Sequence, residues 1–162
     1  TCPPTVIVQH ISAAFAPAMA ERLDRQCTAT VKLLESGEIL KPGHIYIAPG
    51  NDKHAVIGGV DTLVGKMVPG EKISGHRPSI DAMFESVAQR LGPAAIGILL
   101  TGMGQDGAQG ALGEHGGEVD GEAAPGQALG EKAGTGASFT TFWRRFQSMS
   151  LSWPIIAWAM SP

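Results

Sequence analysis

The sequence predicts an α/β fold: a doubly wound, mainly parallel sheet that is incomplete at both ends. Two observations carry this. The run Ala95-Ile96-Gly97-Ile98-Leu99-Leu100 is apolar without alternation, as expected of a strand covered on both faces of a parallel sheet. Strand-like and helix-like segments also alternate, which calls for right-handed crossovers between parallel strands. At 162 residues the chain fits one domain and is long enough to bury a core.

The elements follow in order. Val6-Ile7-Val8 reads as a strand, preceded only by Thr1-Cys2-Pro3-Pro4, so the chain reads as a fragment or excised domain that begins in mid-fold. Residues 13–25 read as a helix, with Ser12 as its cap, Pro17 near its first turn and Phe15, Met19 and Leu23 on one face. Val31 to Leu34, His44 to Ala48 and Ala55 to Ile57 read as short strands of a small meander, punctuated by Lys41-Pro42-Gly43, Pro49-Gly50-Asn51-Asp52 and Gly58-Gly59. Residues 78–91 form the clearest helix. Pro78 suits its first position, Ile80, Met83, Phe84, Val87 and Leu91 form its stripe, and Gly92-Pro93 ends it. A short helix is expected at 107–112.

Beyond about residue 112 the pattern changes. Of 22 glycines, ten lie in residues 1–101, twelve in 102–136 and none later. Residues 113–136 carry five acidic side chains against one Lys and no apolar periodicity, so no element is drawn there. The tail then holds Trp143, Trp153 and Trp158 and the apolar stretch 153–160, which reads as a displaced core element or an exposed sticky patch. The chain is therefore divided into a domain core, 1–112, and a divergent Gly-rich then Trp-rich tail, 113–162.

Composition excludes several classes of function. Twelve basic against fifteen acidic residues give a net charge of −3, which argues against a nucleic-acid partner. No run approaches the roughly 18 apolar residues of a membrane span, so no membrane insertion is expected. Cys2 and Cys27 form no CxxC pair, which speaks against a disulfide framework or a structural zinc site and suits a reducing, cytoplasmic setting. His44, His54, His76 and His115 show no metal-ligand spacing, and neither metal nor cofactor is expected.

Two polar residues stand at strand carboxyl ends, where open parallel sheets gather ligands and catalytic groups. His10 follows Val6-Ile7-Val8-Gln9, and Asp106 lies in the loop after the 95–100 run. They suit a general base and its orienting carboxylate; the plainer alternative is a polar strand end and a helix cap. Gly102-Met103-Gly104-Gln105-Asp106-Gly107 matches G-x-G-x-x-G, yet Asp106 would oppose a pyrophosphate and no strand carries the acidic residue due about 20 positions later. Its backbone N–H groups suit an oxyanion equally well. In His76-Arg77-Pro78-Ser79, helix capping is the simplest reading. Arg77 is a cation able to receive a carboxylate or amide, and Ser79 is a poor nucleophile because it lies at the start of a helix.

Four segments in order carry a resemblance: Val6-Ile7-Val8-Gln9-His10, Lys41-Pro42-Gly43-His44-Ile45-Tyr46-Ile47-Ala48-Pro49-Gly50, His76-Arg77-Pro78-Ser79-Ile80-Asp81-Ala82-Met83-Phe84 and Leu100-Thr101-Gly102-Met103-Gly104-Gln105-Asp106-Gly107-Ala108. Together they resemble the catalytic domain of the bacterial chemotaxis protein-glutamate methylesterases (CheB-type). The resemblance implies a Rossmann-like α/β domain that hydrolyses glutamate methyl esters on methyl-accepting chemotaxis receptors and in many members deamidates glutamines. It implies His10 and Asp106 as triad members, Met103 as an oxyanion donor through its backbone N–H, and a receiver domain upstream or separate.

Two departures accompany it. The family's G-x-S-T-G-G nucleophile turn does not occur in this sequence, so the 162 residues are expected to be inactive alone, since a triad without its nucleophile forms no acyl-enzyme. The family's later Q-D-E and G-M-P segments are also absent after residue 112, as a shifted reading frame or an appended segment would produce. The rival expectation is a non-catalytic module that binds receptor or partner through the same cleft.

Overall fold

The computed structural model describes residues 2–99, 106–107, 128–130 and 155–160. The strands are β1 (Thr5–Gln9), β2 (Thr30–Leu33), β3 (Glu38–Ile39), β4 (His44–Ile47), β5 (Lys53–Gly58), β6 (Val64–Pro69), β7 (Ala95–Leu99), β8 (Ala128–Gly130) and β9 (Ile155–Met160). The helices are α1 (Ala16–Asp24) and α2 (Ile80–Leu91), with a single 3-10 turn at Gly92–Ala94. Six strands form one sheet in the order β2-β4-β1-β9-β7-β8, and every described pairing in it is parallel. The second sheet is antiparallel, in the order β3-β6-β5.

Both faces of the main sheet are covered, which explains why its strands do not alternate. Val6, Val8, Tyr46 and Ala48 face α2 (Ile80, Met83, Phe84, Val87) and the small sheet (Ala55, Ile57, Met67). Ile7, Ile45, Ile47, Ile96 and Ile98 form the opposite layer with Ala20 and Leu23 of α1. Full burial of each such aliphatic side chain stabilises the fold by about 1.5–3 kcal/mol. The sheet thus has the doubly wound, Rossmann-like form that the sequence predicts. Among the described residues no helix is long and apolar enough to cross a membrane.

Several details differ from the sequence reading. The expected meander is divided: β2 and β4 are parallel neighbours in the main sheet, and only β5 belongs to the antiparallel one. Val64–Pro69 carries no strand signal because Gly65 and Lys66 break its apolar pattern, yet it pairs along the whole of β5. Helix α1 starts at Ala16 after Phe15, with no side-chain cap from Ser12. Its buried face is Ala16, Ala20 and Leu23, while Phe15 is 69% exposed. In α2 the N-cap is Ser79 and Pro78 precedes it, because the Ser79 hydroxyl accepts from the Ala82 N–H.

The tail supplies two strands that its composition does not announce. Ala128–Gly130 pairs with β7 at the sheet edge. Ile155–Met160 is a central strand, with Thr5 opposite Ile156 and Gln9 opposite Met160 on one side and Ala95 opposite Ile155 on the other. The apolar stretch 153–160 thus contributes a strand to the main sheet through Ile155–Met160. The expected helix at 107–112 lies outside the described residues apart from Gly107.

Candidate functional site

The site lies at the carboxyl edge of the parallel sheet. β1 delivers His10 there, and the Ile11 N–H donates to the Gln9 carbonyl at 2.8 Å, closing a three-residue turn around it. The loop after β4 packs tightly against this turn: a side chain at Gly50 would lie 2.0 Å from the Ile11 carbonyl oxygen, so the position requires glycine. Asp106 arrives from beyond β7 in a turn with Gly107, whose φ of +94° and close approach to Ile80 leave no room for a Cβ.

Asp106 is 2% exposed and its carboxylate is fully partnered. Oδ2 accepts from the Ile80 N–H at 2.8 Å and faces His10 Nε2 at 2.8 Å. Oδ1 accepts from the Ser79 hydroxyl at 2.7 Å and the Asp81 N–H at 3.1 Å. The carboxylate therefore sits on the N-terminus of α2, where unpaired N–H groups and the helix dipole favour a negative charge. Burial acts to raise its pKa, but the donors from Ile80, Ser79, Asp81 and His10 outweigh it and hold the carboxyl below its ordinary range.

An ionised Asp106 only accepts, so His10 Nε2 carries the hydrogen of their shared bond. The other ring nitrogen, Nδ1, is buried and has no hydrogen-bond partner among the described residues. That leaves an unprotonated nitrogen as an available base. The His76 ring stacks on His10 with centroids 3.7 Å apart and planes 2° from parallel. Burial lowers the His10 pKa, and charge on His76 lowers it further; the bond to Asp106 and the carboxylate charge act the other way without reversing the shift.

His76 is presented by a tight turn in which Ser74 and Gly75 both have positive φ and the Ile73 and His76 backbones bond in both directions. Arg77 follows, joined to Pro78 by a cis peptide. Its Nη1 donates to the Gly70 carbonyl at 2.8 Å, bracing the loop after β6. A third histidine lies behind Ser79: His54 Nδ1 faces the Ser79 N–H at 3.1 Å.

Of the residues singled out in the sequence, His10 and Asp106 come together across 96 positions. Asp106 pairs with His10 and also accepts from the first N–H groups of a helix, though that helix is α2 and not the segment that follows it. Ser79 is the N-cap and spends its hydroxyl on Asp106 and Ala82, which fits its rejection as a nucleophile. Met103 lies outside the described residues, as do Gly102 and Gly104. The ring of His76 and the links from Ser79 and His54 were not foreseen. The only signal for them was the polar His76-Arg77-Pro78-Ser79 run before a strong helix.

Comparison with known proteins settles the family. Residues 1–119 match the CheB methylesterase family. The chain belongs to that family. It is 49% identical over 112 residues to the protein-glutamate methylesterase/protein-glutamine glutaminase 1 of Caulobacter vibrioides, covering 69% of this chain and 33% of that protein. The Rhizobium johnstonii protein of the same name is 44% identical over 111 residues, with 68% and 32% covered. The chain thus spans about a third of the length of these relatives. The crystal structure of the Thermotoga maritima CheB methylesterase catalytic domain superposes with a TM-score of 0.67 at 28% identity, covering 96% of this chain and 78% of that one.

Proposed function

We propose that this chain supplies the general base and its orienting carboxylate to a serine-type carboxyl-ester hydrolase site acting on glutamate methyl esters, and on glutamine side chains, of methyl-accepting chemotaxis receptors in the cytoplasm. The observation that carries this reading is the His10–Asp106 pair. Its Nε2 is committed to a buried, ionised carboxylate at 2.8 Å, while Nδ1 is left buried and unpartnered. Such a histidine accepts a proton from an attacking hydroxyl through Nδ1, is stabilised as imidazolium by Asp106, and returns the proton to departing methanol or ammonia. Water then repeats the sequence on the acyl-enzyme. A lowered His10 pKa keeps the base unprotonated at neutral pH.

The hydroxyl itself is assigned to sequence beyond these 162 residues, because no G-x-S-T-G-G run occurs among them. By this proposal the chain alone does not turn over. The likeness in sequence ends near residue 112 and the segment from 113 is divergent, although Ala128–Gly130 and Ile155–Met160 add strands to the same sheet; Met103 and Arg77 serve the oxyanion and the substrate.

Methanol release from a methylated receptor tests this, using the chain alone and fused behind the segment that precedes the matched region in its Caulobacter relative. The chain alone should be silent and the fusion active. His10→Ala should abolish the fusion's turnover and Asp106→Asn should lower it by about 10⁴-fold. Turnover by the chain alone, or a fusion indifferent to His10→Ala, overturns the proposal. Receptor binding by a fusion that never turns over favours the binding-module alternative instead.

A further inference from the structure

The first turn of α2 holds Asp106, and that turn is itself held by a residue the mechanism does not use. His54 lies on β5 of the small antiparallel sheet and is 3% exposed. Its Nε2 meets the Glu71 carbonyl at 2.7 Å and its Nδ1 meets the Ser79 N–H at 3.1 Å. A carbonyl only accepts and a backbone amide only donates, so these partners select the neutral ring with its hydrogen on Nε2. The N–H groups at the start of α2 are then fully assigned. Ser79 gives to His54, Ile80 and Asp81 give to Asp106, and Ala82 gives to the Ser79 hydroxyl.

We propose that His54 is a positioning residue for the base: by accepting the Ser79 N–H it fixes the register of the α2 N-terminus, and through it the carboxylate of Asp106 against His10. This rests on the reading of His10 and Asp106 given above. The Ser79 hydroxyl already donates to Asp106 Oδ1. Without the imidazole, the buried Ser79 N–H is orphaned beside that carboxylate, and an orphaned donor recruits the nearest acceptor. Asp106 is then drawn toward Ser79 and away from His10 Nε2. The small sheet gains a role by this route, since β5 carries His54 and the chain leaving β6 supplies the Glu71 carbonyl.

The test is the titration of His10 in the 162-residue chain, followed through its ring nitrogens by NMR. His54→Gln keeps a donor toward Glu71 and loses the acceptor for Ser79; His54→Asn places a carbonyl oxygen near the Nδ1 position and keeps it. Asp106→Asn should lower the His10 midpoint, because the carboxylate favours the imidazolium. His54→Gln should shift it in the same direction by part of that amount, and His54→Asn should restore it, although both variants lose stability. An unmoved His10 in His54→Gln, with Asp106→Asn still shifting it, overturns the positioning role alone. A His10 indifferent to Asp106→Asn overturns the pair itself. Should His54→Gln fail to fold, the wild-type chain decides: a coupling across the Ser79 N–H···Nδ1 bond supports the proposal, and its absence refutes it.

Discussion

Ser79→Ala separates the two duties of one buried hydroxyl. The Ser79 Oγ donates to Asp106 Oδ1 at 2.7 Å and accepts from the Ala82 N–H at 3.3 Å. Loss of an N-cap costs about 1 kcal/mol. Loss of a hydrogen bond to a buried charge costs about 1.5–3 kcal/mol. The two share one oxygen and Asp106 Oδ1 keeps the Asp81 N–H, so the charge is not orphaned and the losses do not add in full. The expected destabilisation is about 2–3 kcal/mol, a drop of about 5–10 °C in Tm for a chain of this size. The pH dependence identifies its source. The folded Asp106 carboxyl lies below its ordinary pKa, so its contribution is present above the unfolded value and is lost as pH falls through the folded one. Urea unfolding should therefore show the full gap between wild type and variant at neutral pH. In acid only the capping part, about 1 kcal/mol, should remain. A gap below about 0.5 kcal/mol at neutral pH, or one that is the same in acid, refutes the reasoning.

Gly107→Ala should destabilise by about 1–3 kcal/mol, since φ is +94° and the new Cβ would meet Ile80 Cγ2 at 2.7 Å. The same variant should alter the His10 titration, because Gly107 adjoins Asp106; thermal melts and histidine NMR report the two effects. Met83→Ala, in the fully buried stripe of α2, should cost about 2–5 kcal/mol in urea unfolding and leave the His10 tautomer unchanged. Acidification of the wild type should weaken it in two stages. His10 and Asp106 are both lowered, so the folded state binds fewer protons than the unfolded one, first just below the ordinary imidazole pKa and again below the ordinary carboxylate pKa. A stability that stays flat from neutral pH through the carboxylate range contradicts this.

What could be read in the sequence was whatever a local pattern encodes. The unbroken apolar run of β7 and the stripe of α2 announced a doubly wound sheet because each face of those elements is buried. His10 and Asp106 were legible through topology, since strand carboxyl ends converge in such a sheet. The helix that Asp106 caps was not legible, because Ile80 and Asp81 are 26 and 25 positions away and no spacing rule links them to it. His54 and His76 were hidden for the same reason: each acts through a partner brought near only by the fold. β6 was masked by Gly65 and Lys66, and Phe15 misled because its place in a helical stripe coincided with the exposed N-cap. The tail strand beginning at Ile155 follows Pro154 and a long Gly-rich stretch, and nothing local in it indicates the slot between β1 and β7 that it fills.

The central claim is that His10 presents an unprotonated Nδ1 while Asp106 holds Nε2, and the ring nitrogens themselves test it most directly. Nitrogen-detected NMR of the wild-type chain at neutral pH should find the His10 hydrogen on Nε2, a lone pair on Nδ1 and a titration midpoint below that of an ordinary histidine. A hydrogen on Nδ1 at neutral pH, or a midpoint above the ordinary value, would contradict the account.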